Sequence, residues 1–576
     1  MIEIEEKPVV LSLKTNASSN LERIRRDMRF HPDKYFMSPK YKLFKRSGGE
    51  AGWDGYKYPL RFVGKTRTQA MTDRGNLGQV TTLCEKHDIP YRVKRLPRPF
   101  EGMTPDDLPD DLILSDFELD ENQRIGITQW LVATMGMNRV TVSGGKTAMM
   151  CAAASAVKQN YDDARFMYIT PTERLINQVY KEARQFLPSW DITKFGGGGR
   201  DEKGADMVVV TAAMVSKHLK RLVEEGWFKT FFGLLIDECH HCTANSWEAI
   251  LRQCPALFRF AASDTQGAED ISKKTKMQGL VGEKLHDVSA APLIQSGRIA
   301  KPYIYIVDVP EWHNKHKHVS HTALCRSTAW VLTDQWEKGI YLGQAYALDD
   351  EGEFVEDGKG GFVKKTGCHL VELGGEPQEV ESRFCLLDRL YDKAIIKFKE
   401  RNKLIADWTE YYAETKKLRT LVVCTRTLHT YILEALIASR LDCGEERVRL
   451  LLGEASIKER DRTFDWFRET EGAVLISPLV KEGVSINEIQ AGVVADYSAN
   501  WEFANQILGR FIRQKKEGAN EAHITWFLDR QHPSYRKNAK ELFRKLDKIQ
   551  GYTMYYPCRK PGDMEGVTEF EARALT

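Results

Sequence analysis

The chain has 576 residues, 42% hydrophobic and 29% charged, with a formal net charge of +3. That length gives room for several domains with substantial cores, and the composition excludes a disordered, fibrous or disulfide-stapled chain. No apolar run is long enough to span a membrane, the start MIEIEEK has no signal-peptide character, and eleven scattered cysteines suit a reducing compartment, so a cytoplasmic protein without a membrane partner is expected.

The charge is unevenly divided. Residues 1–101 hold 21 Lys and Arg against 12 Asp and Glu, and the remainder of the chain is mildly acidic. Clustered cations displace counterions from phosphates, so this first segment predicts a polyanion partner, with a solvated basic surface as the alternative. PRPFEGMTPDDLPDD (97–111), heavy in Pro and Asp, reads as the linker that closes a basic domain over 1–108.

A strand-like stretch, Arg139–Val142, then runs into VSGGKT and an Ala-rich helical pattern, Ala148–Val157. A full phosphate-cradling loop has a further glycine five residues before the Gly-Lys pair, where Val140 stands here. Taken alone, the loop is open between a nucleotide site and an ordinary strand-to-helix turn.

Two series of apolar runs follow. RFMYIT (165–170), MVVVTA (207–212), FGLLID (232–237) and LFRFAAS (257–263) make the first series. TLVVCT (420–425), VRLLLG (448–453), GAVLIS (472–477), AGVVAD (491–496) and HITWFL (523–528) make the second. Continuous apolar strands separated by helical patterns predict two parallel sheets, each covered on both faces. Between the series, residues 338–373 are rich in Gly, turn dipeptides and β-branched or aromatic residues, which predicts a β-hairpin insertion.

LLIDECHH places Asp237 and Glu238 at the carboxyl end of a buried strand, where α/β folds bind ligands. Phosphoryl transfer needs a carboxylate for Mg²⁺ and another to orient the attacking water. This pair decides for phosphate binding by the glycine loop. Ser143, Gly144 and Gly145 would cradle oxygens with backbone N–H groups, Lys146 would neutralise β/γ-phosphate charge, and Thr147 with Asp237 would ligate Mg²⁺. Cys239-His240-His241-Cys242 offers four zinc ligands in a row, but four consecutive residues do not readily close a tetrahedron round one ion.

With these motifs in this order, residues 112–530 resemble the superfamily 2 helicases and translocases, which implies ATP and Mg²⁺ as cofactors. Phe117 and Gln123 resemble the adenine-reading Q-type segment. ITPTERLINQ (169–178) and VVVTAAM (208–214) resemble strand-end motifs that face nucleic acid, which implies contacts by Thr172, Arg174 and Thr211. AASDTQ (261–266) stands where the family has Ser-Ala-Thr, and Asp264 departs from it. LVVCTRT (421–427), EGVSI (482–486) and QILGRFIRQ (506–514) resemble the remaining motifs. They imply a DNA contact at Arg426, nucleotide contacts at Gly483 and Gln506, and guanidinium groups for the γ-phosphate at Arg510 and Arg513. Arg510 and Arg513, three apart, are expected to share a helix face.

The first hundred residues resemble the small α/β domain of the UvsW-type phage recombination helicases, in Phe30, Tyr35, Pro39, Trp53, Asp54 and Gly55; Lys34 replaces a glycine of that pattern. Ser485 in EGVSIN and the segment GRIAKPYIYIV match that group as well. The resemblance implies an ATP-driven motor on branched or forked DNA in recombination, replication and repair, in the host cytoplasm for a phage-encoded chain. It implies an α/β fold of two tandem RecA-like parallel-sheet domains with a small N-terminal α/β domain and a β-rich insertion. The expected boundaries are 1–108, 109–308, 309–382 (insertion), 383–545 and a C-terminal tail, 546–576.

A monomer or weak oligomer is expected, and RNA stays open as the track, since such motifs grip backbone instead of reading bases. Two rival readings are a duplex translocase that does not separate strands and a binding or annealing protein with a decayed nucleotide site. Three further stretches carry alternatives. KFGGGGR (194–200) is a phosphate nest or a mobile turn; His316, His318, His321 and Cys325 are zinc ligands or part of a solvated basic loop; Trp53 stacks on an unpaired base or packs its own domain.

Overall fold

The computed structural model describes the chain except for residues 33–34, 115–117, 142, 196–203, 265–270, 311–317, 322–327, 333–335, 348–354, 356–362, 374–375, 382, 386–390, 479–487, 497–500, 516–518, 530–532, 550, 559, 563–567 and 570–576. It divides into two compact units, Met1–Ser289 and Ala290–Thr576.

The first unit opens with a five-stranded sheet in the order Arg61–Phe62, Gln69–Asp73, Val10–Thr15, Ile2–Glu6, Tyr91–Lys94. Ile2–Glu6 runs antiparallel to Val10–Thr15 and parallel to Tyr91–Lys94. Its apolar residues alternate, so one face buries Ile2, Ile4, Leu11 and Leu13 against Leu21, Ile24 and Met28 of helix Ser18–Met28 and Val80 and Cys84 of helix Leu77–Lys86.

Beyond it lies a seven-stranded parallel sheet. The order is Lys284–Val288, Met135–Val140, Phe258–Ser263, Gly233–Ile236, Phe166–Thr170, Met207–Thr211, Ile192–Phe195. Phe166–Thr170 and Met207–Thr211 are buried at every residue, as continuous apolar strands with helices on both faces must be. The two edge strands were not legible in the sequence. KLHDV and ITKF are only partly buried and carry polar residues that periodicity alone does not assign to a sheet.

The linker reading of 97–111 needs correction. Leu108 is buried, Phe100 packs on Phe258 with ring centroids 5.9 Å apart, and Arg124 Nη2 donates to the carbonyls of Pro105 and Leu108. The segment is packed against the parallel-sheet domain.

The second unit contains an eight-stranded sheet in the order Val448–Leu450, Val474–Ser477, Thr420–Val423, Ala491–Val494, Glu521–Leu528, Lys301–Asp308, Thr553–Cys558, Thr568–Glu569, parallel except for the last pair. Two expected boundaries therefore move. Lys301–Asp308, placed by sequence at the end of the first motor domain, is a central strand of the second sheet, and Thr553–Cys558, placed in a tail, pairs with it. Neighbours in a parallel sheet are distant in sequence, so a run of residues does not declare which sheet takes it.

The insertion is a separate six-stranded sheet in the order Glu376–Glu381, Lys364–Leu373, Trp336–Tyr346, Thr328–Leu332, His318–His321, Arg383–Cys385. The predicted hairpin is present as the antiparallel pair Trp336–Tyr346 and Lys364–Leu373, and the sheet runs on to Cys385, past the expected end at 382.

Candidate nucleotide site

The strand order brings three chemistry-bearing strand ends side by side. Met135–Val140 leads into the glycine loop and Gly233–Ile236 into Asp237-Glu238; Phe258–Ser263, between them, ends on Ser263-Asp264. All three open at the carboxyl edge of the parallel sheet, where such folds bind ligands.

The loop is shaped by its glycines. Gly145 caps helix Lys146–Asn160 in the left-handed region at φ 82°, and Ser143 also has positive φ, 61°. A Cβ on Gly144 would meet the Thr141 carbonyl oxygen at 2.8 Å, so only glycine lets the loop fold back here. The missing first glycine is not needed for this turn: Val140 is the last residue of the buried strand.

Gln123, the expected nucleotide-reading residue, lies against the glycine loop. Its side chain is 1% exposed; Nε2 donates to the Gly144 carbonyl at 2.9 Å and Oε1 accepts from the Asp120 N–H at 2.9 Å in a capping box. The residue braces the phosphate loop through Nε2 from the start of helix Glu121–Ala133, while Oε1 closes the capping box of that helix.

Lys146 Nζ forms an ion pair with Glu238 Oε1, the two side chains being 16% and 22% exposed. The Glu238 N–H donates to Asp237 Oδ1 at 2.9 Å, and Glu238 itself sits at φ 48°, a left-handed conformation that is strained for a non-glycine residue. His240 Nδ1 lies 2.9 Å from Ser263 Oγ and 3.4 Å from Glu238 Oε2, tying the acidic strand end to the middle strand.

The charges are strongly perturbed. Burial pushes the Asp237 carboxyl up to about 7, with Lys146 opposing and Glu238 reinforcing the shift. Burial also acts on Glu238, but Lys146 and His240 outweigh it and hold that carboxyl below its ordinary range. Burial works against the Lys146 ammonium, yet Glu238, Asp264 and Asp237 together raise it above its ordinary value. Asp264 is raised by burial and by Glu238. This arrangement holds carboxylates in excess of local cations, as suits a site built to receive further positive charge.

The donor set fits a hard divalent cation. Glu238 Oε2 is buried without a hydrogen-bond partner among the described residues, and Asp237 is 6% exposed at the strand end. Cys239 and Cys242 are both fully buried thiols in the apolar core.

The remaining predicted residues fall into place unevenly. Thr172 and Thr211 are helix N-caps, accepting from the N–H groups of Leu175 and Met214, and the Thr211 side chain, 1% exposed, is occupied there. Arg426, in the second unit, is exposed with its guanidinium 5.4 Å from the centre of the Tyr391 ring, whose hydroxyl donates to Asp496. Gln506 is exposed on helix Trp501–Phe511 and Arg510 lies in its last turn. Arg513 is beyond the helix end, in a β-bridge with Ile299, so the expected shared helix face of the two arginines is corrected. Phe117, Gly483, Ser485, His316, Cys325 and residues 196–200 lie outside the described residues, as does the side chain of Arg174.

Sequence reading missed Arg401. It is fully buried, forms a bidentate pair with Asp529 at 2.7 and 3.0 Å, and donates to the Ala495 carbonyl at 2.7 Å, fixing two strand ends of the second sheet. Nothing in an amphipathic helical pattern distinguishes a buried arginine from a solvated one.

Residues 118–265 match the family described as Type III restriction enzyme, res subunit, and residues 400–515 match the Helicase conserved C-terminal domain. The chain thus carries the paired motor domains of the superfamily 2 helicases. Within that class it resembles UvsW: it is 25% identical over 302 residues to the ATP-dependent DNA helicase uvsW of Enterobacteria phage T4, covering 49% of this chain and 55% of that protein. It is 28% identical over 285 residues to the chloroplastic DExH-box ATP-dependent RNA helicase DExH15 of Arabidopsis thaliana, covering 47% of this chain and 22% of that one. The chain therefore matches about half the length of the phage relative and less of the plant one. The crystal structure of T4 UvsW aligns over 96% of this chain and 98% of that one at 18% identity with a TM-score of 0.42. No helix among the described residues is long and apolar enough to cross a membrane.

Proposed function

We propose that this protein is a nucleic-acid-dependent ATPase that acts as a DNA helicase on branched or forked substrates, in junction migration or fork and R-loop remodelling. The observation that carries the reading is the ion pair between Lys146 and Glu238 at the mouth of a glycine loop, beside Asp237.

In this geometry the lysine that neutralises phosphate and the carboxylate that orients water hold each other. Phosphate oxygens arriving over the loop N–H groups compete with Glu238 for Lys146, and the exchange releases the Glu238 carboxylate to accept a proton from the attacking water. Thr147 and Asp237 would hold Mg²⁺, which when bound neutralises charge on the β- and γ-phosphates. The loop glycines and the Gln123 bond to the Gly144 carbonyl set the shape of the cradle.

Two features support DNA as the track: the excess of cations in residues 1–101 and the likeness to a phage DNA helicase. The decisive experiment measures phosphate release with single-stranded DNA, duplex DNA, a four-way junction and RNA, alongside strand displacement on a forked duplex. Stimulation by the junction with displacement is the expected result. Turnover without displacement would identify a duplex translocase, stimulation by RNA alone would reassign the track, and no turnover at all would overturn the reading.

A further inference from the structure

The N-terminal domain presents an apolar patch that its own core does not use. Phe36 is 58% exposed, Leu43 51% and Met37 46%. They lie on the turn Tyr35–Met37 and the helix Pro39–Arg46, and three such side chains facing water within eight residues are unusual for a small domain. The same stretch is strongly basic. Between Tyr35 and Gly49 stand Lys40, Lys42, Lys45 and Arg46 and no acidic residue, and Lys40, Lys45 and Arg46 are exposed.

The patch is held from beneath. Tyr35 stacks on His31 at 4.0 Å, His31 on Tyr56 at 3.8 Å, and Tyr41 meets Tyr35 edge-on at 4.8 Å. The loop that follows fits only as glycine. A Cβ on Gly52 would meet the Lys40 carbonyl oxygen at 2.4 Å, and one on Gly55 would meet the Tyr35 ring at 2.9 Å; both residues have positive φ. Trp53 belongs to this support. It is half-buried and its Nε1 donates to the Tyr56 carbonyl at 2.7 Å, while Asp54 accepts from the Tyr56 N–H and the Tyr58 hydroxyl. The Trp-Asp-Gly segment builds the platform, and Phe36 is the aromatic ring it leaves outside.

We propose that the Tyr35–Arg46 segment binds unpaired nucleic acid, with Phe36 stacking on a base, Leu43 and Met37 covering its neighbour, and Lys40, Lys45 and Arg46 on the flanking phosphates. An apolar ring amid cations of one sign suits a polyanion that also offers flat apolar faces, which paired duplex hides and unpaired bases expose. This deepens the proposed helicase reading, since a branched substrate contains unpaired segments at its junction.

The test uses the full-length protein without nucleotide and measures anisotropy of a labelled oligo-dT and of a blunt duplex at several salt concentrations. Phe36→Ala is expected to weaken oligo-dT binding about tenfold, with an unchanged salt slope and unchanged duplex binding. Lys40→Gln with Lys45→Gln is expected to flatten the salt slope by about two phosphate contacts. Unchanged oligo-dT affinity in Phe36→Ala overturns the proposal. So does loss of binding to vesicles of phosphatidylcholine and phosphatidylglycerol with oligo-dT binding intact, which would make the patch a membrane contact. Phe36 lies outside the nucleotide site, so ATP turnover at saturating DNA reports separately on the helicase reading and is expected to be the same in wild type and Phe36→Ala.

Discussion

Arg74 Nη2 donates to Thr134 Oγ1 at 2.7 Å, joining the N-terminal sheet to the parallel-sheet domain at a point where both residues are buried. Thr134 ends helix Glu121–Ala133 in the left-handed region and directly precedes the strand that leads to the phosphate loop. Arg98 Nη1 donates to the same hydroxyl at 2.5 Å, Arg74 Nη1 to the Leu257 carbonyl at 2.7 Å, and Glu6 pairs with both arginines. Asp73 adds a bidentate pair with Arg252 at 2.6 and 3.0 Å. The basic domain is thus built into the first unit, and it is not an arm on a free linker.

Arg74→Met should therefore destabilise the first unit by about 3 kcal/mol, because it leaves Glu6 and the Thr134 hydroxyl with Arg98 alone and removes the guanidinium donor from the Leu257 carbonyl. Urea unfolding of the full chain measures this; a loss below about 0.5 kcal/mol, as for a surface substitution, would contradict it. Deleting residues 1–108 should lower the thermal midpoint of the remaining protein, since Phe258 and Arg252 lose their partners.

Lys146→Ala should abolish ATP turnover while DNA affinity without nucleotide stays within about twofold, because the side chain pairs with Glu238 beside Asp237 and Asp264 at the glycine loop. Glu238→Gln should bind ATP and slow its turnover by roughly 10²–10⁴-fold, the range for a lost general base. Normal steady-state turnover in either variant would remove that residue from its role.

Arg513→Ala should lower turnover at saturating ATP with little change in nucleotide affinity, as expected for charge stabilisation concentrated in the transition state. Its backbone is placed by the bridge to Ile299, and Asn520 Nδ2 holds that segment through the carbonyls of Gly297 and Ile299 at 2.7 and 3.3 Å. Asn520→Ala should accordingly show a weaker version of the same defect. A fall in affinity with unchanged turnover at saturation would make Arg513 a binding group.

Lys515 is 8% exposed and donates through Nζ to the carbonyls of Ile489 and Phe511. Burial, with Arg513 nearby, brings its ammonium down to about 7 from the ordinary 10.5. A depressed folded value means that its contribution to stability is present above 10.5 and is lost as the pH falls through 7. The stability of wild type relative to Lys515→Met should therefore rise between pH 7 and pH 9.5 in urea titrations, where groups common to both proteins cancel. A constant difference would show that the lysine does not titrate in this window.

The sequence by itself determined the chemistry and most of the scaffold. Gly-Gly-Lys-Thr at 144–147, Asp237-Glu238 after a strand, and apolar runs such as FMYIT and MVVVT are local patterns whose cause lies within a few residues: φ freedom, charge and two-sided burial. Tertiary structure alone decided which strand ends meet. It put Asp264 between the glycine loop and the acidic pair, took Lys301–Asp308 and Thr553–Cys558 into the second sheet, bonded Gln123 to the glycine loop, and buried Arg74 and Arg401. It also bonded the Trp53 Nε1–H to the Tyr56 carbonyl and left the Phe36 ring exposed. Each of these depends on partners far away in the chain, since parallel pairing and the burial of a polar side chain are settled by long-range neighbours that no local period encodes.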